Sequence, residues 1–540
     1  MYAKGERLWK GYSRMYGTVV SLIPFMIVIP IALWTKQVIL GLGAGLVCGS
    51  YILHPSLLGG LTSLLHYIAA EAASSGNLNL LLFLFLFGSF VGLIRVSGGV
   101  AGFSQWMERR IHSARGAFSL TWVSSVATFM APDFRIITIA PVVRNIFSRL
   151  GVAPERVAFA IDVTSTPLCA VVPLGTAFVG YMVGLMHTAS DHAGQVNAPA
   201  AASPYRLFLA AIPFNFFAWA MLIVGFVLTF ARHAKAATAA SGQAKPTVIR
   251  HAREIEHQPF RLARHIRAAA AMETGTIGVA PLPPGARREW SRSADGNEQQ
   301  APDVIEWLSN QSKPRALHLV LPIALLLALT MGLTYWSGYQ NGGRTVFQAL
   351  TQANASAAML QAVIVTVLFM FVFYSIRRIP ISRTMAGFLH GGNEMMSVNV
   401  LLVLIWGVSA VSADLGFSQF CQREIAQYVP HSLIVPALFV FGCAISYVIG
   451  SSFGTWAMLM PLAFSLAGTG TANLAVMAGA VFASGTFGGF ASPLSDNTIA
   501  MSTVMKLPVM KYAAYKTKSA ILTAGACAVL YWVAVACFRL

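Results

Sequence analysis

The chain has 540 residues, of which 56% are apolar and only 10% charged. Its mean hydropathy of +0.65 excludes an ordinary soluble domain and points to an all-α polytopic membrane protein. Thirty-seven Lys and Arg against 19 Asp and Glu give a net charge of +18. The basic residues cluster in loops between apolar segments, as the cytoplasmic bias of membrane proteins requires, so no nucleic-acid partner is expected.

The N-terminus carries Lys4, Arg7, Lys10 and Arg14 ahead of an apolar run at 18–34. No small-residue cleavage site follows, and the run is read as a retained first span. Further apolar segments fall at 37–53, 78–95, 117–147, 155–186 and 207–231. A second set falls at 317–339, 357–376, 397–413, 432–466, 472–505 and 519–538. Between the sets, His233 to Lys313 is rich in Ala, Arg, Gln and Pro. It reads as a cytoplasmic basic loop insertion, with one amphipathic helix near Arg250–Arg267. The expected organisation is an N-terminal transmembrane repeat (1–232), the insertion (233–316) and a C-terminal transmembrane repeat (317–540). The six cysteines (Cys48, Cys169, Cys421, Cys443, Cys527 and Cys537) show no Cys-x-x-Cys or Cys/His spacing, so neither a disulfide framework nor a zinc site is indicated.

The two sets follow one plan. Each has three spans, a long segment with a polar midpoint, a long helix interrupted by polar residues, and a final span. The midpoints are Phe129-Met-Ala-Pro-Asp-Phe-Arg135 and Gly450-Ser-Ser-Phe-Gly-Thr455. The interruptions are Ile161-Asp-Val-Thr-Ser-Thr-Pro167 and Ser492-Pro-Leu-Ser-Asp-Asn-Thr498. Polar midpoints predict re-entrant hairpins, and matched breaks in two halves are the mark of a transporter site. If each hairpin returns to its own side, Arg109, Arg110, Arg115, Arg144, Arg149 and Arg156 share a side with the insertion. Arg377, Arg378, Arg383, Lys506, Lys511, Lys516 and Lys518 then fall there too. The second hairpin enters from the opposite face, so the repeats are inverted, with about 10–11 spans. The same count puts the basic N-terminus outside, which an extra helix around Pro55–Ala73 would repair.

Few ionisable residues lie at membrane depth: Asp133, Arg135, Asp162 and Asp496. Each costs about 2.5–3.5 kcal/mol at a helix centre and therefore needs a reason to be there. A cation stripped of water needs oxygen ligands. Asp162, Thr164, Ser165 and Thr166 offer one cluster. Ser492, Ser495, Asp496, Asn497 and Thr498 offer the other. The hairpin tips, with Asp133 and with Ser451, Ser452 and Thr455, are placed to close around both. Sodium is expected at Asp162 and Asp496. A carboxylate in a low-dielectric cavity also takes a proton, so one site serves cation/proton exchange. In the alternative, Arg135 and half-helix N-termini hold the carboxylate of a small organic acid or amino acid. Glu71, Asp414, Glu394 and His390 are read as interface-facing, and Gly488 and Gly489 as sites of close helix packing.

Gly450-Ser-Ser-Phe-Gly-Thr-Trp-Ala-Met-Leu-Met-Pro461 and the run from Gly488 to Thr498 resemble the NhaC-type sodium/proton antiporter family. Asp133 stands where that family has an acidic hairpin motif. Ala160-Ile-Asp-Val-Thr-Ser-Thr-Pro167 is similar to its Asp-Ser-Thr-Ala-Ala-Pro run. The resemblance implies two inverted repeats, each with a re-entrant hairpin and a broken helix, and secondary antiport by alternating access. Relatives exchange organic acids or move amino acids. The chain departs from the family where Gly489 and Phe490 replace an acid and a histidine. It departs again where Pro132 and Ile136 replace a second acid and an Asn, and where Arg135 is added. These departures favour the anionic or zwitterionic substrate of the alternative.

No His-Glu-x-x-His and no Gly-x-Gly-Asp occurs, so neither an enzyme nor a cofactor is expected. The expected partners are the bilayer, protons and a cation or small organic solute, with a homodimer left open. The expected location is a bacterial inner membrane.

Overall fold

The computed structural model describes residues 16–538 except 36, 109–112, 130, 174–175, 194–203, 240–313, 421–429 and 468–470. The expected helix at Arg250–Arg267, the N-terminal basic residues, Arg109, Arg110 and Cys421 lie outside the described residues. The described chain is helical throughout, with no strand.

A 3-10 turn at Val19–Leu22 leads into α1 (Ile23–Thr35), followed by α2 (Val38–Leu53), α3 (Leu57–Ala73), α4 (Ser75–Val96) and α5 (Gly99–Glu108). The extra helix expected near Pro55–Ala73 is therefore present as α3. Its start is capped by Ser56, whose side chain accepts from Gly59 N. Next come α6 (Ala114–Val123), α7 (Ser125–Thr128) and α8 (Pro132–Arg149). This segment folds back on itself: the rings of Phe118 and Phe147, at the far ends of its two limbs, lie 4.4 Å apart. The first interrupted helix follows as α9 (Pro154–Val163) and α10 (Thr166–Cys169), with α11 (Ala177–Ala193) as a separate element. The run 155–186 was expected as one broken helix; Pro167 and Pro173 divide it further, because proline can supply no helical N–H. The half closes with α12 (Pro204–Ala211) and α13 (Phe216–Ala239), bent by 46° around Pro213 and Asn215. Helix α13 runs past the expected domain boundary at 232.

The second half begins with α14 (Leu317–Gln340), α15 (Val346–Gln352) and α16 (Ala355–Ile376). Helices α17 (Ile381–Glu394) and α18 (Met396–Asp414) lead to the short α19 (Phe417–Phe420). The second hairpin is α20 (His431–Ile449) and α21 (Ser452–Leu466), and it too folds back, with Gly442 against Leu459. Its tip turns at Gly450, with φ +79°. A left-handed residue that ends a helix favours glycine. The second interrupted helix is α22 (Thr471–Ala491) and α23 (Asp496–Met505), and α24 (Val509–Phe538) ends the chain.

Seven helices among the described residues are long and apolar enough to cross a membrane, or eight if the bent pair counts as one span. The expected ten or eleven are reached only with the shorter apolar helices, such as Val38–Leu53, which fall below the usual spanning length of about 20 residues. The order hairpin, broken helix recurs in both halves.

Helices α4 and α17 pack with their backbones in close approach. Gly88 and Gly92 face Gly387 and Gly391, and a Cβ at Gly92 would strike the Gly387 carbonyl. Small residues four apart on both helices allow this packing in lipid. At its edge Arg95 Nη1 donates to Glu394 Oε1 at 2.6 Å, with His390 3.4 Å from the same oxygen. Glu394 and His390 are thus part of an inter-helix lock as well as being partly exposed. We expect Gly92→Val to wedge the pair apart, at a cost of about 1–3 kcal/mol, and to lower the unfolding temperature measured in detergent. Gly43→Ala, where a Cβ inside a helix meets nothing within 4 Å, serves as the control and should not lower that temperature. A Gly92→Val protein that unfolds at the wild-type temperature would refute the packing argument.

Candidate functional site

The two helix breaks have the same cause. Pro167 sits in the first turn of α10, and Pro493 follows Ser492 in the second break; neither position can continue an i to i−4 ladder. Each break frees backbone carbonyls, and nearby hydroxyls take most of them. Thr164 Oγ1 donates to Ala160 O at 2.8 Å, and Ser165 Oγ to Ile161 O at 2.7 Å. Ser495 Oγ donates to Gly489 O at 2.6 Å, and Thr498 Oγ1 to Ser492 O at 2.7 Å. Many hydroxyls expected as ion ligands are therefore also satisfying the broken backbone.

Each hairpin tip is tied to the break that follows it. Cys169 Sγ reaches Phe129 O at 2.6 Å. In the second half Ser492 Oγ donates to Tyr447 O at 2.6 Å, and Gly450 lies against the Leu494 backbone. Ser451 caps α21 by accepting from Gly454 N at 3.1 Å. Thr455 Oγ1 returns to Ser451 O at 2.9 Å, and Ser452 Oγ donates to Gly485 O, also at 2.9 Å. These three hold the tip in shape. Asp133 lies in α8, and its side chain is outside the described residues.

The two breaks meet. Asn497 Nδ2 donates to Thr166 Oγ1 at 2.8 Å. Beside that link, Asp162 Oδ2 accepts from Lys516 Nζ at 2.5 Å and from Tyr512 OH at 2.8 Å. Lys516 Nζ also donates to Thr498 Oγ1 at 2.8 Å. Asp162, Lys516 and Tyr512 all have 0% exposure. The Lys516 ammonium lies 5.1 Å from the centre of the Phe490 ring and 4.8 Å from that of Tyr512. Phe490, which stands where the resembled motif carries a histidine, thus covers the ion pair. Gly489 leaves room for Ser452 and Thr166 to approach its backbone, and Gly488 does the same for Ser446.

Lys516 corrects the sequence reading, which placed it among cytoplasmic loop charges and began the last span at 519. Helix α24 starts ten residues earlier, at Val509. Tyr512, Lys516 and Ala520 are spaced four apart and all buried, while Lys511 and Lys518 on other faces are exposed. That i, i+4, i+8 pattern was the available signal. Arg144 and Arg156 were also read as loop charges. They are helical residues whose guanidinium groups cap carbonyls of neighbouring helices, Val504 O at 2.6 Å and Thr229 O at 2.7 Å.

Asp496 is placed differently from Asp162, with which it was expected to share sodium. It opens α23, where a carboxylate faces the positive end of the helix. It is surrounded by protein yet exposed, and it makes no hydrogen bond among the described residues. Its neighbours Asn497 and Thr498 turn inward instead. Arg135 is fully buried and bonded to Thr121 O, Ser124, Thr128 and Thr164.

Two acceptors at the crossing lack donors: Asp162 Oδ1 and Asn497 Oδ1, both buried. Orphaned buried acceptors are rare, and a cation between such oxygens would satisfy them. Removing one partner of a buried ion pair leaves an uncompensated charge, at about 3–5 kcal/mol. Lys516→Met and Asp162→Asn should each lower the unfolding temperature, and the double variant should lose much less than their sum. Additive losses would mean that the two groups do not depend on each other.

A profile of the Na+/H+ antiporter family matches residues 176–534, about two thirds of the chain. The match takes in the second hairpin, the second broken helix, Tyr512 and Lys516, and begins after Asp162. An uncharacterized protein of Haemophilus influenzae is 23% identical over 513 residues, covering 91% of this chain and 85% of that protein. The crystal structure of the YdaH transporter of Alcanivorax borkumensis, described as having an unusual topology, matches with a TM-score of 0.50 at 15% identity. It covers 95% of this chain and 98% of that one, a likeness of fold. The resemblance read from the motifs is thereby borne out: the chain belongs to the Na+/H+ antiporter family and is an integral membrane protein, a secondary transporter.

Proposed function

We propose that the protein exchanges sodium for protons at the crossing of its two broken helices, with Asp162 as the charged ligand. One observation carries the reading: a fully buried carboxylate is held through Oδ2 by Lys516 and Tyr512 while its Oδ1 has no donor. A cation arriving at Oδ1 puts a second positive charge on one carboxylate in a low-dielectric site. The pair relieves this by giving up a proton. The proton-loaded and cation-loaded pairs then carry the same net charge, so one cation exchanges for one proton. Asn497 Oδ1 and the hydroxyls of Thr166 and Thr498, which the Asn497–Thr166 and Lys516–Thr498 bonds bring to the crossing, are the neutral oxygens to complete the shell. Exposed Asp496 stands beside the second break, where it would draw cations toward the crossing.

Alternating access follows if the hairpin–break units of two inverted repeats open in turn. The tie of each tip to its own break supports their moving as units. The alternative, a carboxylate substrate on Arg135, finds both terminal nitrogens of that guanidinium already donated to protein oxygens. The favoured reading puts the protein in a bacterial inner membrane, with lipid, protons and the transported cation as partners.

In proteoliposomes, a sodium gradient should drive proton movement that Asp162→Asn reduces to the level of empty vesicles. Wild-type flux in that variant would remove Asp162 from the site. Each elementary charge moved across 100 mV is worth about 2.3 kcal/mol, so one-for-one exchange should be indifferent to an imposed membrane potential. Flux that scales with potential would contradict the stoichiometry.

A further inference from the structure

Arg135 takes no part in the Asp162–Lys516 pair, yet it is a positive charge with 0% exposure. Its Nη1 donates to Thr128 Oγ1 at 2.7 Å and to Ser124 Oγ at 3.4 Å. Its Nη2 donates to Thr121 O and to Thr164 Oγ1, each at 2.7 Å. No carboxylate among the described residues pairs with it. The compensation comes from neutral oxygens whose positions are not random. Thr121 O lies in the last turn of α6, Ser124 is the C-cap of α6, and Thr164 is the C-cap of α9. The C-terminal ends of two ten-residue helices thus converge on one cation, through one carbonyl and two cap hydroxyls, where the helix dipoles favour positive charge. Three hydroxyls and a backbone carbonyl around a positive centre are the donor set that a hard monovalent cation takes in place of water.

We propose that Arg135 is a tethered cation. Its guanidinium fills an oxygen cage between the first hairpin and the first helix break that would otherwise take a sodium ion, so the transported cation is loaded at the Asp162 crossing alone. The last clause rests on the Asp162 reading; the cage itself stands on its own geometry. The guanidinium also positions the break, because Thr164 is two residues from Asp162 and is held to the hairpin through Arg135.

The test is a cation-dependent unfolding measurement on the full chain purified in detergent, with sodium chloride exchanged for choline chloride at constant ionic strength. Asp162→Asn is the background, which silences the crossing. Adding Arg135→Ser should create a saturable sodium response, a rise in unfolding temperature on the order of 2 °C. Adding Arg135→Lys instead should give none, because an ammonium refills the cage. The proposal is overturned if Arg135→Ser adds no response to sodium, lithium or potassium, or if Arg135→Lys adds the same response. It is also overturned if neither Arg135→Ser nor Arg135→Gln can be obtained folded in sodium-containing buffer, since a free ion then cannot stand in for the guanidinium. A sodium response already present in Asp162→Asn alone would count against the crossing as the cation site, and the increment added by Arg135→Ser would still decide the cage.

Discussion

Asp162 and Lys516 can be buried together only because each neutralises the other. Either group alone would have to shed its charge or draw water inward. Their contact joins α9 to α24 across most of the chain's length, and Thr498 extends it to α23. The pair therefore fixes how the two broken helices cross. The Asn497–Thr166 bond repeats the link one step away. The hairpins are secured in turn through their own breaks, by Cys169 to Phe129 and by Ser492 to Tyr447.

A pair of this kind is stable and also poised. Its ligands on Oδ2 are complete, and Oδ1 is left without a donor. A core selected for stability alone would do better with apolar side chains of similar size. Retaining charge at this depth makes sense when charge is what is exchanged. Phe490, Phe159 and Tyr512 then act as the dry wall of the site, raising the strength of every electrostatic interaction inside it.

Much of this was legible in the sequence because the lipid constraint is severe. Proline and an acid inside an apolar run of spanning length allow few structures, so both helix breaks, both hairpins and the buried role of Asp162 could be read from residues 129–167 and 450–498. Lys516 was not legible by the same rule. A lysine three residues before an apolar run looks like a loop charge, and only the helical phase of Tyr512, Lys516 and Ala520 separates it from Lys511 and Lys518. Hydroxyl clusters carry a second duty that the sequence does not separate from the first: serine and threonine beside a break repair freed carbonyls as readily as they bind ions, and Ser165 and Ser495 make such bonds. Asp496 was the most conspicuous acid in the chain, yet it opens α23 with an exposed side chain while Asn497 and Thr498 beside it are buried.

The central claim is that a cation and Lys516 compete for Asp162. Structures of the protein determined in sodium at alkaline pH and in sodium-free buffer at acid pH test it most directly. The account predicts cation density on Asp162 Oδ1 only in the first, with the Lys516 ammonium drawn away from the carboxylate. An unchanged Lys516–Asp162 contact in both, with cation density at Asp496 or nowhere near the crossing, would contradict it.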